Sequence, residues 1–120
     1  MIVIATDAPL LARNLERLGA RALFGLARTG SSASNGSGDY VLAFSTSLLV
    51  RRHPDSAAVN VRELGNDAVS ALFQAVIEAT EEALYNAMLM ATPVSSRAGR
   101  VAPLPVDSVR ALLRARGVGR

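Results

Sequence analysis

The sequence predicts a mixed α/β fold, α+β in the sense that helices lie outside a layered sheet. Three observations carry this expectation. Met1-Ile-Val-Ile-Ala-Thr6 is an unbroken β-rich apolar run, which reads as a strand buried on both faces. Tyr40-Val-Leu-Ala-Phe-Ser-Thr46 is a second such strand, with Tyr40, Leu42 and Phe44 on one face and Val41, Ala43 and Ser45 on the other. Two long segments, from Pro9 to about Ala27 and from about Asn66 to Ala91, repeat their apolar residues at helical spacing.

The totals bound the answer. At 120 residues the chain holds one domain at most, spanning 1–120. Half of its residues are hydrophobic and the mean hydropathy is +0.27, which is apolar for so small a domain. Such an excess implies that some apolar residues face a partner chain or a missing segment. The net charge of +3 comes with thirteen Arg and no Lys, but Arg is spread along the chain, aromatic residues make up only 4%, and no nucleic-acid motif is present. Nucleic acid is therefore not expected as a partner. Without cysteine there is no disulfide, no thiolate metal site and no Cys nucleophile. No apolar run approaches the roughly 20 residues of a membrane span. Met1 leads into a strand with no basic segment before it, so no signal peptide is expected in these residues. The expected location is cytoplasmic, or periplasmic if an upstream precursor carries a signal.

The elements follow in order. Thr6-Asp7-Ala8-Pro9 reads as a helix start, with Asp7 capping free N–H groups and Pro9 in the first turn. The alternative for Asp7 is a catalytic carboxylate. Leu11, Leu15, Leu18, Ala22, Leu23 and Leu26 make one apolar stripe, with Arg13, Glu16, Arg17 and Arg21 on a solvated face. Glu16 can pair with Arg13, and Arg17 with Arg21 would repel. Gly19 and Gly25 suggest close packing against a neighbour, and Gly30 is a helix stop.

Arg51 to Ser56 is a polar connection that contains the only histidine, His53. A Ser-His-Asp triad would need it, and its place before Pro54 in a charged turn argues for an exposed loop role instead. Val59, Val61 and Leu64 suggest a short strand. In the long helix, Val69, Leu72, Phe73, Val76, Ile77, Thr80, Ala83, Leu84, Ala87 and Met88 form a broad stripe. Glu78, Glu81 and Glu82 cluster in its middle. Glu78 and Glu82 share a face at i, i+4, but no His accompanies them, so a solvated or subunit-facing patch fits better than paired carboxylates for metal or acid–base work. Pro93 to Pro103 reads as a linker, and Leu104 to Arg114 as a short terminal helix with Arg110, Arg114 and Arg116 toward its C-terminal end.

Between the first helix and the second strand lies Arg28-Thr-Gly-Ser-Ser-Ala-Ser-Asn-Gly-Ser-Gly-Asp39, with three glycines, four serines and one terminal carboxylate. It has too little apolar surface to build a core. By composition it is either a flexible linker or a reactive or anion-binding loop.

Ile2-Val-Ile-Ala-Thr-Asp-Ala-Pro-Leu10, Arg28-Thr-Gly30, Asn35-Gly-Ser-Gly-Asp39 with Leu42-Ala-Phe-Ser-Thr46, Glu78-Ala-Thr-Glu-Glu-Ala-Leu-Tyr-Asn-Ala87 and Leu104-Pro105 occur in one order across the whole chain. In that order and spacing the chain resembles the C-terminal β subunit of DmpA-type aminopeptidases, which include L-aminopeptidase/D-esterases and β-peptidyl aminopeptidases. The resemblance implies part of a four-layer αββα sandwich similar to N-terminal nucleophile hydrolases. It implies a precursor that cuts itself before a serine, which becomes the nucleophile and bears the α-amine that acts as base. The substrate is then a peptide, amide or ester with a free amine, and no cofactor or metal is implied. The partners are the α subunit of the same precursor, the substrate and further αβ units in a homo-oligomer.

Ser37 and Asp39 match the family's supporting catalytic residues. The Ser37 hydroxyl can hold or relay the nucleophile's proton, and Asp39 can orient that hydroxyl or bind the substrate ammonium. Some members carry Glu where this chain has Asp39. The family's nucleophilic serine is expected about two residues before Met1, outside these 120 residues. The oxyanion-hole groups belong to the α subunit. The chain alone is therefore expected to be inactive, as a truncated reading frame or a fragment. Two other readings are a non-catalytic remnant that binds a partner or ligand, and an acyl transferase similar to the ornithine acetyltransferases.

Overall fold

Strand β1 (Ile2–Thr6) and strand β2 (Val41–Ser45) pair in parallel, with Ile2 opposite Val41 and Thr6 opposite Ser45. The computed structural model describes residues 1–55 and 57–118; Ser56, which ends the expected polar connection, and the last two residues lie outside it. A parallel pair needs a crossover, and helix α1 (Ala12–Arg28) supplies it. Helix α2 (Val69–Leu89) follows after a long connection. Strands β3 (Val94–Ser96) and β4 (Gly99–Val101) form an antiparallel hairpin, and helix α3 (Val106–Ala115) comes last. The residues fall into two compact units, Met1–Glu82 and Ala83–Arg120.

In the first unit, Leu10, Leu18, Ala22, Val69 and Val76 form the core, with Ile2, Ile4, Leu15, Val41, Leu72 and Phe73 packed around them. Only one face of the β1–β2 sheet joins it. Side chains alternate along each strand, so Ile2, Ile4, Val41 and Ala43 turn toward the helices and are half-buried. On the other face Val3 is 58% exposed, Leu42 57% and Phe44 42%. This corrects the expectation of strands buried on both faces: among the described residues of this unit, packed elements cover one side only.

Both glycines of α1 pack against a neighbour, as expected, but only Gly25 is a close approach that excludes a side chain. A Cβ on Gly19 would stand at ordinary contact distance, 3.5 Å, from Val41 Cγ1 on β2, whereas one on Gly25 would stand 2.5 Å from the Ile77 carbonyl oxygen. Gly25 thus lets α1 cross α2. The helix ends at Arg28, and Gly30 follows in the left-handed region at φ +95° with its N–H donating to the Ala27 carbonyl at 3.1 Å.

The start of α1 differs from the expectation. The helix begins at Ala12, past Pro9, and Asp7 is exposed. Its cap comes from far along the chain: Glu63 Oε1 accepts from the Leu11 N–H at 3.0 Å and from Asn14 Nδ2 at 2.8 Å. Thr6 makes the local turn instead, its Oγ1 accepting from the Ala8 N–H at 3.1 Å. Arg17 and Arg21 do not form a repelling solvated pair. Both guanidinium groups lie over the Phe73 ring, 5.0 and 4.5 Å from its centroid, and Arg17 Nη1 also donates to Asn14 and Asn66. The aromatic face attracts both cations.

Val59, Val61 and Leu64 form no strand. The Arg62 and Leu64 N–H groups donate to the carbonyls of Leu49 and Pro9, so the segment is pinned by single bonds and presents Glu63 to α1. The expected linker from Pro93 to Pro103 contains the β3–β4 hairpin, which closes through Gly99 at φ +124°. Its strands are only three residues long and have no buried residue, too short to show a period in the sequence.

Candidate functional site

The loop from Gly30 to Asp39 is built by three residues with positive φ: Gly30 (+95°), Ala33 (+46°) and Gly36 (+97°). Glycine adopts such conformations freely. The turn is closed by the Ser37 N–H donating to the Ser34 carbonyl at 2.9 Å. Directly after it the Ser37 hydroxyl donates to Asp39 Oδ2 at 2.5 Å. The two residues are two apart, and the bond between them shows that both side chains turn the same way.

This pair stands at the N-terminal end of the sheet. The Ile2 N–H donates to the Tyr40 carbonyl at 2.8 Å, so the start of β1 lies beside the residue that follows Asp39. Ser37 and Asp39 are both exposed. A hydroxyl held by a carboxylate is polarised to accept or pass on a proton, and a short hydrogen bond to an acidic group fixes its direction.

A groove of about 570 Å³ runs from Asp39 between α1 and β2, lined by Leu15, Glu16, Leu23, Asp39, Val41 and Ala43 among others. Glu16, read from the sequence as part of a solvated face, thus shares an apolar-walled groove with Asp39. The two are 23 positions apart in the sequence, and the packing of α1 against β2 brings them to one groove. Nothing in the sequence signalled that meeting.

The other residues considered for chemistry are not brought here. Asp7 follows the C-terminal end of β1, a strand length of about 16 Å from the end that carries Asp39. His53 is exposed in the connection after β2, and among the described residues no hydrogen bond joins it to Ser37 or Asp39. Glu78 accepts from Gln74 Nε2 at 2.5 Å along α2, and Glu81 pairs with Arg28 at 3.3 Å. Among the described residues no three His, Cys, Asp or Glu side chains gather to hold a metal ion, and no helix is long and apolar enough to cross a membrane.

The profile of peptidase family S58 matches residues 1–102. The chain is 37% identical over 115 residues to the beta-peptidyl aminopeptidase BapA of Sphingosinicella microcystinivorans, which covers 95% of this chain and 29% of that protein. It is 39% identical over 119 residues to BapA of Sphingosinicella xenopeptidilytica, with 97% and 29% covered.

Among solved structures, the PH0078 protein of Pyrococcus horikoshii OT3 superimposes with a TM-score of 0.85 at 39% identity, covering 98% of this chain and 34% of that one. The L-aminopeptidase D-Ala-esterase/amidase of Ochrobactrum anthropi gives 0.83 at 32% identity, with 97% and 33% covered. It is described as a prototype for the serine aminopeptidases and a new variant among the Ntn-hydrolase fold. A Burkholderia sp. beta-aminopeptidase gives 0.80 at 38% identity, with 98% and 35% covered. The expected fold class therefore holds: the mixed helix-and-strand chain has DmpA-type aminopeptidases of Ntn-hydrolase fold as its structural neighbours. The chain spans about a third or less of the length of each protein it matches.

Proposed function

The chain belongs to peptidase family S58, a family of aminopeptidases, and from that premise we propose that it is the β portion of an autoprocessed serine aminopeptidase. One observation carries the finer reading: Ser37 and Asp39 form a hydrogen-bonded pair beside the start of β1. Continuing the parallel register back from Ile2 and Val41 brings the residues that precede Met1 alongside Gly38 and Asp39. A nucleophilic serine in that stretch would stand next to the Ser37 hydroxyl.

The reaction then runs in two halves. The serine Oγ attacks the carbonyl carbon of the substrate, and its proton passes to the serine's own α-amine, with the Ser37 hydroxyl holding or relaying it. The tetrahedral intermediate collapses, the C–N or C–O bond breaks, and the leaving group takes the proton. Water attacks the acyl-serine ester in the same manner and releases the acid. Asp39 orients the Ser37 hydroxyl or holds the ammonium of a substrate with a free N-terminal amine. The oxyanion donors and the rest of the pocket belong to an α portion of the same precursor, and αβ units assemble further into a homo-oligomer.

The test uses a longer chain translated from the upstream coding sequence. Self-cleavage before a serine near Met1, followed by hydrolysis of an aminoacyl nitroanilide that Ser37→Ala suppresses, is the expected result. Co-purification with an α-like chain without any amine-directed hydrolysis would replace the reading with a binding role. Turnover of acetylornithine in its place would make the protein an acyl transferase.

A further inference from the structure

The groove between α1 and β2 has apolar or small walls, and the only charged residues that line it are Asp39 and Glu16. Glu16 is exposed and its charge is not neutralised within the chain. The pairing with Arg13 read from the sequence does not form: the ion pairs among the described residues are Arg28 with Glu81 and Arg110 with Asp107. Arg17, the next residue along, is turned to Phe73, Asn14 and Asn66. The groove therefore holds two carboxylates on an apolar lining and no cation.

The two carboxylates lie toward opposite ends of it. Gly19 sits on Val41 and Ala43, and α1, as the crossover between parallel strands, runs against the direction of β2. Leu23 therefore lies toward Asp39, and Glu16 lies on the far side of Gly19. Glu16 stands three residues before Gly19, about 4.5 Å along the helix. Asp39 stands two residues before Val41, about 6.6 Å along the strand. Their backbones are thus separated by about 11 Å along the groove. The side chains of Leu15, Leu23, Val41 and Ala43 fill the wall between them.

We propose that this groove takes the side chain of the substrate's N-terminal residue, and that Glu16 makes it select a cation on an apolar stem, of the lysine type. The proposal rests on the hydrolase reading of Ser37 and Asp39. With the substrate's free amine held at Asp39, its side chain enters the groove that opens there. The methylenes of a lysine stem cover the apolar wall, and the terminal ammonium meets Glu16 at the exposed rim, where it keeps water on one side. A short side chain does not reach Glu16. An acidic side chain meets two carboxylates and no cation, so it is rejected by repulsion. Glu16 acts on the choice of substrate and takes no part in the proton transfers.

Steady-state kinetics of the self-processed longer protein on lysine and norleucine nitroanilides tests it, since the two share a stem and a free amine. Glu16→Gln should lower the lysine-to-norleucine ratio of kcat/KM by roughly fivefold, the upper range for an exposed ion pair. Glu16→Lys should lower it further, and added NaCl should shrink the wild-type preference. Hydrolysis of both substrates with a ratio that Glu16→Gln does not change keeps the hydrolase reading and overturns this one. The 120-residue chain gives a second measurement that needs no hydrolysis. In an NMR titration, lysinamide should shift the backbone amide signals of Gly19, Ala20 and Ala43 at lower concentration than norleucinamide, and Glu16→Gln should abolish the difference. If the longer protein hydrolyses neither nitroanilide, the titration decides. Tighter lysinamide binding that Glu16→Gln removes leaves the groove as a site for such cations while the hydrolase reading falls. Shifts that are equal for the two amides, or absent from the groove, overturn the proposal.

Discussion

Gly25 and Thr80 mark the point where α1 and α2 come nearest: a Cβ on Gly25 would stand 2.8 Å from Thr80 Cβ and 2.5 Å from the Ile77 carbonyl oxygen. Both residues are buried, so neither backbone nor side chain can yield freely. Gly25→Ala should improve local helix propensity by about 1 kcal/mol and still destabilise the chain, because overpacking costs about 1–3 kcal/mol. A lower urea midpoint with an unchanged slope is the expected reading. A midpoint that rises would show that the helices separate easily here.

Glu63 closes the N-terminus of α1 from 52 positions beyond Leu11, through Leu11 N–H and Asn14 Nδ2. Glu63→Ala leaves buried Asn14 with one partner fewer and the first turn uncapped. The expected loss is about 1–2 kcal/mol in chemical denaturation. Glu63→Gln keeps a carbonyl oxygen in reach and should lose less. Asp7→Ala, by contrast, should change stability by no more than about 0.5 kcal/mol, as for an exposed residue without a special role.

Ser37→Ala and Asp39→Asn act on the proposed chemistry. In the self-processed protein each should lower kcat by about 100-fold or more, the usual worth of a positioned proton-transfer group. Asp39→Glu keeps the carboxylate and should retain most of the rate. Steady-state kinetics on an aminoacyl nitroanilide separates the outcomes: equal loss in Asp39→Glu and Asp39→Asn would remove the orienting role of the carboxylate. A rise in KM alone in Asp39→Asn would assign it to ammonium binding.

The bare sheet face gives a prediction of opposite sign in two settings. Val3 lies opposite Leu42, and both are more than half exposed. Leu42→Lys should leave the stability of this chain within about 1 kcal/mol, the span of strand preferences at exposed sites. It should also reduce aggregation in light scattering. If a second sheet covers this face in the longer protein, the same change there should block folding or self-processing. Normal processing would show that the face stays open.

Much of this molecule was legible locally. The two strands, the two long helices and the terminal helix appear where the sequence puts them, the strands from their β-rich apolar runs and the helices from the spacing of their apolar residues. The role proposed for the loop rests on the order of motifs around Asn35–Asp39, since a Gly/Ser run has no period to read. Three features escaped. The α1 cap comes from Glu63, the Arg17 and Arg21 pair lies on Phe73, and Glu16 shares a groove with Asp39. Each joins residues 23 to 56 positions apart, and sequence spacing carries no signal for such meetings.

The sequence by itself determined the fold class, the family and the candidate pair Ser37 and Asp39, because these depend on residue type and short-range order. Tertiary structure alone decided which sheet face is covered and which residues meet. It did so because packing of α1 on β2 and α2, at Gly19 and Gly25, sets distances that no local pattern contains. It also placed the Ser37–Asp39 pair beside the start of β1, through the parallel register that brings Ile2 to Tyr40 and Val41.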